Sequence, residues 1–208
     1  MNRLNLERLS RPEAFQGTIS RKVRDAAFIT IDSTNISILD VGCGTGLFLL
    51  ECAAKYSANL KAFGADIDKE ALLEGKYIFE DNGFNPSRFL CGDALKLPFP
   101  SEIFDSVYCL NTLINIHPFN KVETLMDELA RVCKKGGKII FDYRNIKNII
   151  LLIKYLRNTL TRQLTTHGHR LNNFKSSINR LNLKIDSVKP IGSKIPLLTM
   201  GYLLILEK

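Results

Sequence analysis

No uncharged apolar run in this chain approaches the ~18 residues that a membrane-spanning helix needs. The first residues, MNRLNLERLSRPEAF, carry charges throughout and hold no apolar core segment, so no secretory signal is expected there. Cysteines are few, odd in number and scattered: Cys43, Cys52, Cys91, Cys109 and Cys133 show no CxxC spacing. That argues against a disulfide framework and a zinc site and suits a reducing cytoplasm. Internal repeats, low-complexity tracts and long linkers are also missing. What remains, 208 residues with 45% hydrophobic and 24% charged, is enough for one domain with a full core.

Acidic charge is scarce in the last third. Residues 1–145 hold 18 Lys+Arg and 19 Asp+Glu, whereas residues 146–208 hold 11 Lys+Arg and only Asp186 and Glu207. The whole basic excess of +8 therefore lies after residue 145. Two explanations stand side by side. One is a solvated basic surface. The other is attraction to an anionic partner, whether a small substrate, RNA or an anionic membrane surface.

Short apolar runs alternate with helical periods. Ser37–Val41 reads as a buried strand, Leu47–Ala58 as a helix, and Leu60–Ala65 as a second strand. Asp68 caps a helix running to about Glu80. Arg88–Cys91 and Phe104–Leu110 are the third and fourth strands. Val122, Leu125, Met126, Leu129 and Val132 have the spacing of an amphipathic helix over Lys121–Cys133. Lys134 and Lys135 suit its C-terminal dipole, and Gly136–Gly137 ends it. Lys138–Asp142 is a fifth strand and Asn148–Leu164 an apolar helix. Leu183–Val188 and Tyr202–Leu206 are the last strands. This alternation predicts βαβ units and a mostly parallel sheet covered on both faces. Its ligand belongs beyond the C-terminal strand ends.

The stretch ILDVGCGTGLFLL lies there. Gly42, Gly44 and Gly46 follow the first strand, where glycine allows positive φ and close approach of backbone to a ligand. A tight structural turn is the plain alternative. A dinucleotide site wants G-x-G-x-x-G, and here the third glycine comes one residue early. Asp66 ends the second strand, where a carboxylate can accept from both ribose hydroxyls. Asp93 follows the third strand, where a carboxylate can accept from the adenine amino group; the alternative is a solvated loop acid. FDSVYCLN is a strand with polar residues at its C-terminal end.

DVGCGTG, GADID, GDALKLPFP, FDSVYCLN and ELARVCKKGGKIIF, in this order and spacing, resemble a class I S-adenosylmethionine-dependent methyltransferase. The closest flavour is the broad type 11 group that includes ubiquinone and menaquinone biosynthesis methyltransferases. The resemblance is strong over residues 36–145; beyond them only the strand–helix order matches. It implies an α/β, Rossmann-like three-layer sandwich with a seven-stranded sheet of order 3-2-1-4-5-7-6 and an antiparallel last strand. It implies one domain over 1–208: a helical lead-in to residue 35, a cofactor half over 36–145 and a basic, substrate-side half over 146–208. The implied cofactor is S-adenosyl-L-methionine, leaving as S-adenosyl-L-homocysteine, with no metal. By this resemblance Asp40, Gly42, Gly44 and Gly46 frame the methionine part, with backbone contacts from Cys43 and Thr45. Asp66 takes the ribose and Ile67 packs on the adenine. Asp93 takes the adenine amino group, with Ala94 at the ring edge. Leu110 backbone and the Asn111 side chain lie near the methionine amino group. Arg21 or Arg24 is the candidate for the cofactor carboxylate.

No catalytic triad is expected, because a sulfonium donor needs alignment more than acid–base help. His117 is the candidate base, against a loop histidine that packs or caps. Tyr143 and Arg144 follow onto the substrate side, with Arg144 able to fork onto a carboxylate or phosphate, or else facing solvent. His167 and His169 read as loop residues rather than metal ligands. The function expected is methyl transfer to an O, N or C nucleophile of a small anionic or lipid-like metabolite. RNA methylation is the second reading; against it, no basic aromatic loop is present and NTLI stands where an NPPY-like tetrapeptide belongs. A binding scaffold without turnover is the third, and a nicotinamide dehydrogenase the fourth. The sequence leaves the oligomeric state open.

Overall fold

The computed structural model describes residues 14–31, 37–56, 60–84, 88–149, 151, 153 and 168–208. Helix α1 spans Ala14–Phe28, within the expected lead-in. Strand β1, Ser37–Val41, is buried along its whole length, as a central parallel strand must be. Helix α2 (Leu47–Tyr56), strand β2 (Lys61–Asp66), helix α3 (Lys69–Asp81) and strand β3 (Phe89–Cys91) follow. Asp68 caps α3 as expected, its Oδ1 accepting from the Glu70 and Ala71 N–H groups at 3.0 Å. Strand β4 (Phe104–Cys109), helix α4 (Phe119–Val132), strand β5 (Cys133–Arg144), helix α5 (Leu171–Arg180) and strands β6 (Lys184–Gly192) and β7 (Thr199–Glu207) complete the order.

The seven strands run β3-β2-β1-β4-β5-β7-β6. β1 pairs parallel with both β2 and β4. β7 pairs antiparallel with β5 and β6. The chain therefore winds outward from β1 in both directions, and the crevice where it reverses lies above the C-terminal ends of β1 and β4. The sheet separates two apolar layers. On one side Leu39, Val107 and Phe141 pack on Leu125 and Leu129 of α4 and on Phe174 and Ile178 of α5. On the other, Ile38, Tyr108 and Ile140 pack on Val23 of α1, Leu49 of α2 and Leu72 of α3. This is the expected three-layer α/β sandwich, with the expected strand order.

Three local expectations are corrected. Helix α4 spans Phe119–Val132, close to the expected Lys121–Cys133, but Gly136–Gly137 do not end it, because Cys133 already pairs with Phe104 across the sheet. The two glycines instead join the far terminus: Gly136 N–H donates to Lys208 O, and Lys208 N–H to Gly137 O. Lys134 does not serve the helix dipole; its Nζ sits 2.7 Å from Asp105 Oδ1. Helix α5 has no counterpart among the expected elements. It buries Phe174, Ser177 and Ile178 along one face of a polar segment, LNNFKSSINR, too short to announce its period. Of the helix expected over 148–164, residues 149, 151 and 153 are helical. Residues 150, 152 and 154–164, and with them His167, lie outside the described residues. Among the described residues no helix is long and apolar enough to cross a membrane.

Candidate functional site

The turn after β1 is built on left-handed glycines. Gly42 has φ +75° and donates its N–H to Ala65 O at 2.7 Å. A Cβ there would collide with the Thr112 side chain, so no larger residue fits without moving Thr112. Gly44 has φ +53° and only open space around its missing Cβ. Its N–H donates to Asp66 Oδ2 at 2.6 Å, while Asp66 Oδ1 accepts from the Asp68 N–H at 2.9 Å. One carboxylate thus ties the glycine turn to the start of α3. Each of its oxygens keeps further acceptor capacity for a ligand. Helix α3 comes so close to the turn that a Cβ on Gly75 would sit 2.7 Å from Thr45 O.

Above this turn opens a cavity of about 490 Å³. Gly42, Asp66 and Ile67 form one side; Asp93, Ala94 and Leu95 form another; Leu110, Asn111 and Thr112 form the floor. Asn115, Ile116, His117 and Lys121 complete the wall. Asp93 holds its own loop, accepting from the Leu95 N–H at 2.9 Å. Ile67 is exposed, an apolar side chain standing at the cavity wall.

Asn111 is fixed from below. It has φ +58°, a conformation uncommon outside glycine and most tolerated by Asn and Asp. Its N–H donates to Asp142 Oδ1, and its Oδ1 accepts from Arg144 Nη2 at 2.8 Å. Arg144 Nη1 closes the set on Asp142 Oδ2 at 2.6 Å. Both members of this ion pair are buried, and burial raises the Asp142 carboxyl above its ordinary range despite the opposing pull of Arg144.

Asp40 lies under the glycine turn, fully enclosed. Burial, then the charge of Asp66, raises its carboxyl well above the ordinary range, with Arg24 pulling it back. Its Oδ1 has no hydrogen-bond partner among the described residues, and neither has Arg24 Nε; Glu51 Oε1 is 3.6 Å from that nitrogen. Arg21 is exposed on the same helix, so Arg24 is the arginine beside Asp40. Cys43 packs its sulfur where a Gly64 side chain would go, and burial raises its thiol far above the ordinary range, which makes it inert.

Of the residues singled out by sequence, Gly42, Asp66, Ile67, Asp93, Ala94, Leu110, Asn111 and His117 face this one cavity. Asp40, Cys43, Gly44, Thr45 and Gly46 lie beneath or beside it. Two lie elsewhere. Arg144 offers no free fork and does not face solvent; its guanidinium is spent on Asp142 and Asn111. Tyr143 is buried on the α4–α5 side, stacked on Tyr202 at 5.5 Å, and burial pushes its hydroxyl up to about 12. Sequence reasoning passes over Gly75, Thr112 and Lys121. Gly75 carries a readable signal, since a glycine inside a helical period asks for a close packing partner. Lys121 gives none beyond its place near the start of α4.

The set fits an adenosyl group with an amino-acid tail. Two carboxylates flank an apolar wall, a turn whose glycines carry no side chain lies below it, and the Asp40 Oδ1, without a hydrogen-bond partner among the described residues, lies beneath. Among the described residues no His, Cys, Asp and Glu cluster could hold a metal ion.

Comparison with known proteins agrees. Residues 38–137 match a family model described as a methyltransferase domain. The chain is 33% identical over 125 residues to a phosphatidylethanolamine N-methyltransferase of Cereibacter sphaeroides, covering 60% of this chain and 58% of that one. It is 31% identical over 102 residues to a demethylmenaquinone methyltransferase of Bacillus subtilis, covering 49% and 42%. The chain thus spans about half the length of these curated relatives. Its fold resembles the crystal structure of magnesium protoporphyrin IX methyltransferase from Synechocystis with bound S-adenosylhomocysteine, with TM-score 0.71, 15% identity and coverage of 97% and 92%.

Proposed function

We propose, from the premise that this chain carries a class I S-adenosylmethionine-dependent methyltransferase domain, that it methylates an O, N or C nucleophile of a small anionic or lipid-like metabolite. The single observation behind this reading is that Asp66, Asp93 and the Gly42 turn share one cavity with His117 and Lys121. When bound, the cofactor supplies a methyl group already activated on a positively charged sulfur.

The chain's own residues then have four tasks. Asp66 holds the ribose hydroxyls with the acceptor capacity left after its two backbone bonds. Asp93 accepts from the adenine amino group, and Ile67 and Ala94 cover the ring. Gly42 and Gly44 present no side chain to the amino-acid tail, with Asp40 and Arg24 below. Asn111 and Leu110 close that end. Acceptor alignment falls to the wall opposite. Orientation of this kind is worth roughly 7–11 kcal/mol of barrier. Lys121 attracts an anionic group and His117 stands where a proton would leave a nucleophile. The relatives named for phosphatidylethanolamine and demethylmenaquinone favour a lipid-like acceptor.

Methyl-labelled cofactor, offered with phosphatidylethanolamine, demethylated quinone and total RNA in parallel, tests the reading. Label is expected in a lipid or acidic metabolite. Lys121→Ala is expected to raise KM for that acceptor about tenfold, the ~1.4 kcal/mol of one charge-assisted contact, with kcat nearly unchanged. Label in RNA alone, or cofactor binding without transfer to any acceptor, would replace this reading with RNA methylation or with a scaffold.

A further inference from the structure

A second surface lies outside the cavity, at the same end of the sheet. Among the described residues eleven large apolar side chains are exposed, and five of them fall in two short stretches: Ile149 and Ile153, and Ile195, Leu197 and Leu198. Each of the five is between 43% and 59% exposed. Ile149 and Ile153 are one helical turn apart, so they share a face, while Leu151 between them is buried.

Buried polar side chains stitch the two stretches together. Asn145 Nδ2 donates to Pro196 O at 2.8 Å and to Thr199 O at 3.0 Å. Asn148 Nδ2 donates to the same Thr199 carbonyl at 3.0 Å, and Asn148 Oδ1 accepts the Leu151 N–H. Thr199 in turn donates its hydroxyl to Ser193 O and Ile195 O. Asn145, Asn148 and Thr199 are each buried. The loop between β6 and β7 is therefore held in shape while its aliphatic side chains point outward. A loop without a partner has no reason to be pinned with its apolar residues in water.

Charge says what the partner is. Lys147 and Lys194 are exposed within the two stretches, and exposed Arg170 follows His169, whose N–H bonds to Arg144 O beside Asn145. After Asp142 the chain has no carboxylate side chain except Asp186 and Glu207. Aliphatic side chains ringed by lysine and arginine suit a bilayer with anionic headgroups. The apolar tips enter the acyl boundary and the cations meet phosphates. RNA would use the cations and gain nothing from three bare aliphatics.

We propose that the β6–β7 loop, together with Lys147, Ile149 and Ile153, forms a docking face for anionic lipid bilayers. This face stands apart from the cofactor reading, since it uses none of the cavity's residues.

Sedimentation with phosphatidylcholine vesicles, with and without phosphatidylglycerol, tests it. The protein is expected to pellet with the mixed vesicles only. The triple variant Ile195→Ser, Leu197→Ser, Leu198→Ser is expected to bind them at least about tenfold more weakly, since it lacks three aliphatic side chains that the wild type would move out of water on binding. Lys147→Glu with Lys194→Glu is expected to abolish pelleting. Both should keep the wild-type affinity for S-adenosylhomocysteine, so a failure here is separable from a failure at the cavity. The chain has no tryptophan, so Leu197→Trp gives a single fluorescent reporter. Its emission should shift to the blue with the mixed vesicles. No pelleting of the wild type, undiminished pelleting of the triple variant, an unshifted emission from the Leu197→Trp protein, or release from vesicles by RNA that the triple variant binds equally well would each overturn the proposal.

Discussion

Arg144→Ala is expected to lower folding stability by about 3–5 kcal/mol, the usual cost of removing one partner from a buried ion pair. The Asp142 side chain is fully buried and the Arg144 side chain nearly so. Without the guanidinium, Asp142 keeps its backbone N–H contacts, that of Asn111 among them, but a carboxylate whose burial already disfavours its charge loses the charged neighbour that opposes that shift. Asn111 also loses the donor on its Oδ1, which helps hold an uncommon left-handed backbone at the cavity floor. Cofactor affinity should therefore fall together with stability. Adding Asp142→Asn removes the stranded charge while keeping an acceptor for the Asn111 N–H, so the double variant should regain part of the loss. Urea unfolding of the three proteins measures this directly. A loss below about 1 kcal/mol, as for an exposed pair, would mean that Arg144 is not needed to compensate Asp142.

Asp66→Ala carries the second large effect, on binding rather than on stability. Hydrogen bonds to a charged group are worth about 1.5–3 kcal/mol, so S-adenosylhomocysteine should bind roughly 10–100-fold more weakly. Part of the loss has a local cause. Asp66 also accepts from Gly44 and Asp68, so its removal loosens the turn that the cofactor's tail would lie against. Asp66→Asn keeps one acceptor oxygen and should fall between the two. Unchanged affinity in a folded Asp66→Ala protein would put the ribose somewhere else.

The cavity is largely legible in the sequence because its residues sit at strand ends, where sequence order and sheet order coincide. Ser37–Val41 announces a buried strand by its β-branched and aliphatic run, and the glycines that follow mark where it stops. Asp66 and Asp93 come next, at the ends of the two adjacent strands. Residues whose meaning depends on distant partners are not legible. Arg144 reads equally well as a substrate fork or a surface charge. Only Asp142 and Asn111, two residues and 33 residues away, show it to be a buried brace. Tyr143 sits where alternation turns it toward Phe174 and Tyr202 rather than the crevice. Helix α5 escapes notice because Phe174 and Ile178 are too few to outweigh its polar residues. The end of α4 is read to within a residue, but Gly136–Gly137 looks like its stop signal, although their partner in space is Lys208.

Calorimetric titration of the protein with S-adenosylmethionine, S-adenosylhomocysteine and NAD tests the central claim most directly. The arrangement of Asp66, Asp93 and the Gly42 turn predicts micromolar binding of both adenosyl compounds and none of NAD, whose pyrophosphate wants a third glycine one residue later. Binding of NAD, or of neither adenosyl compound, would contradict it and leave the glycine turn a structural device.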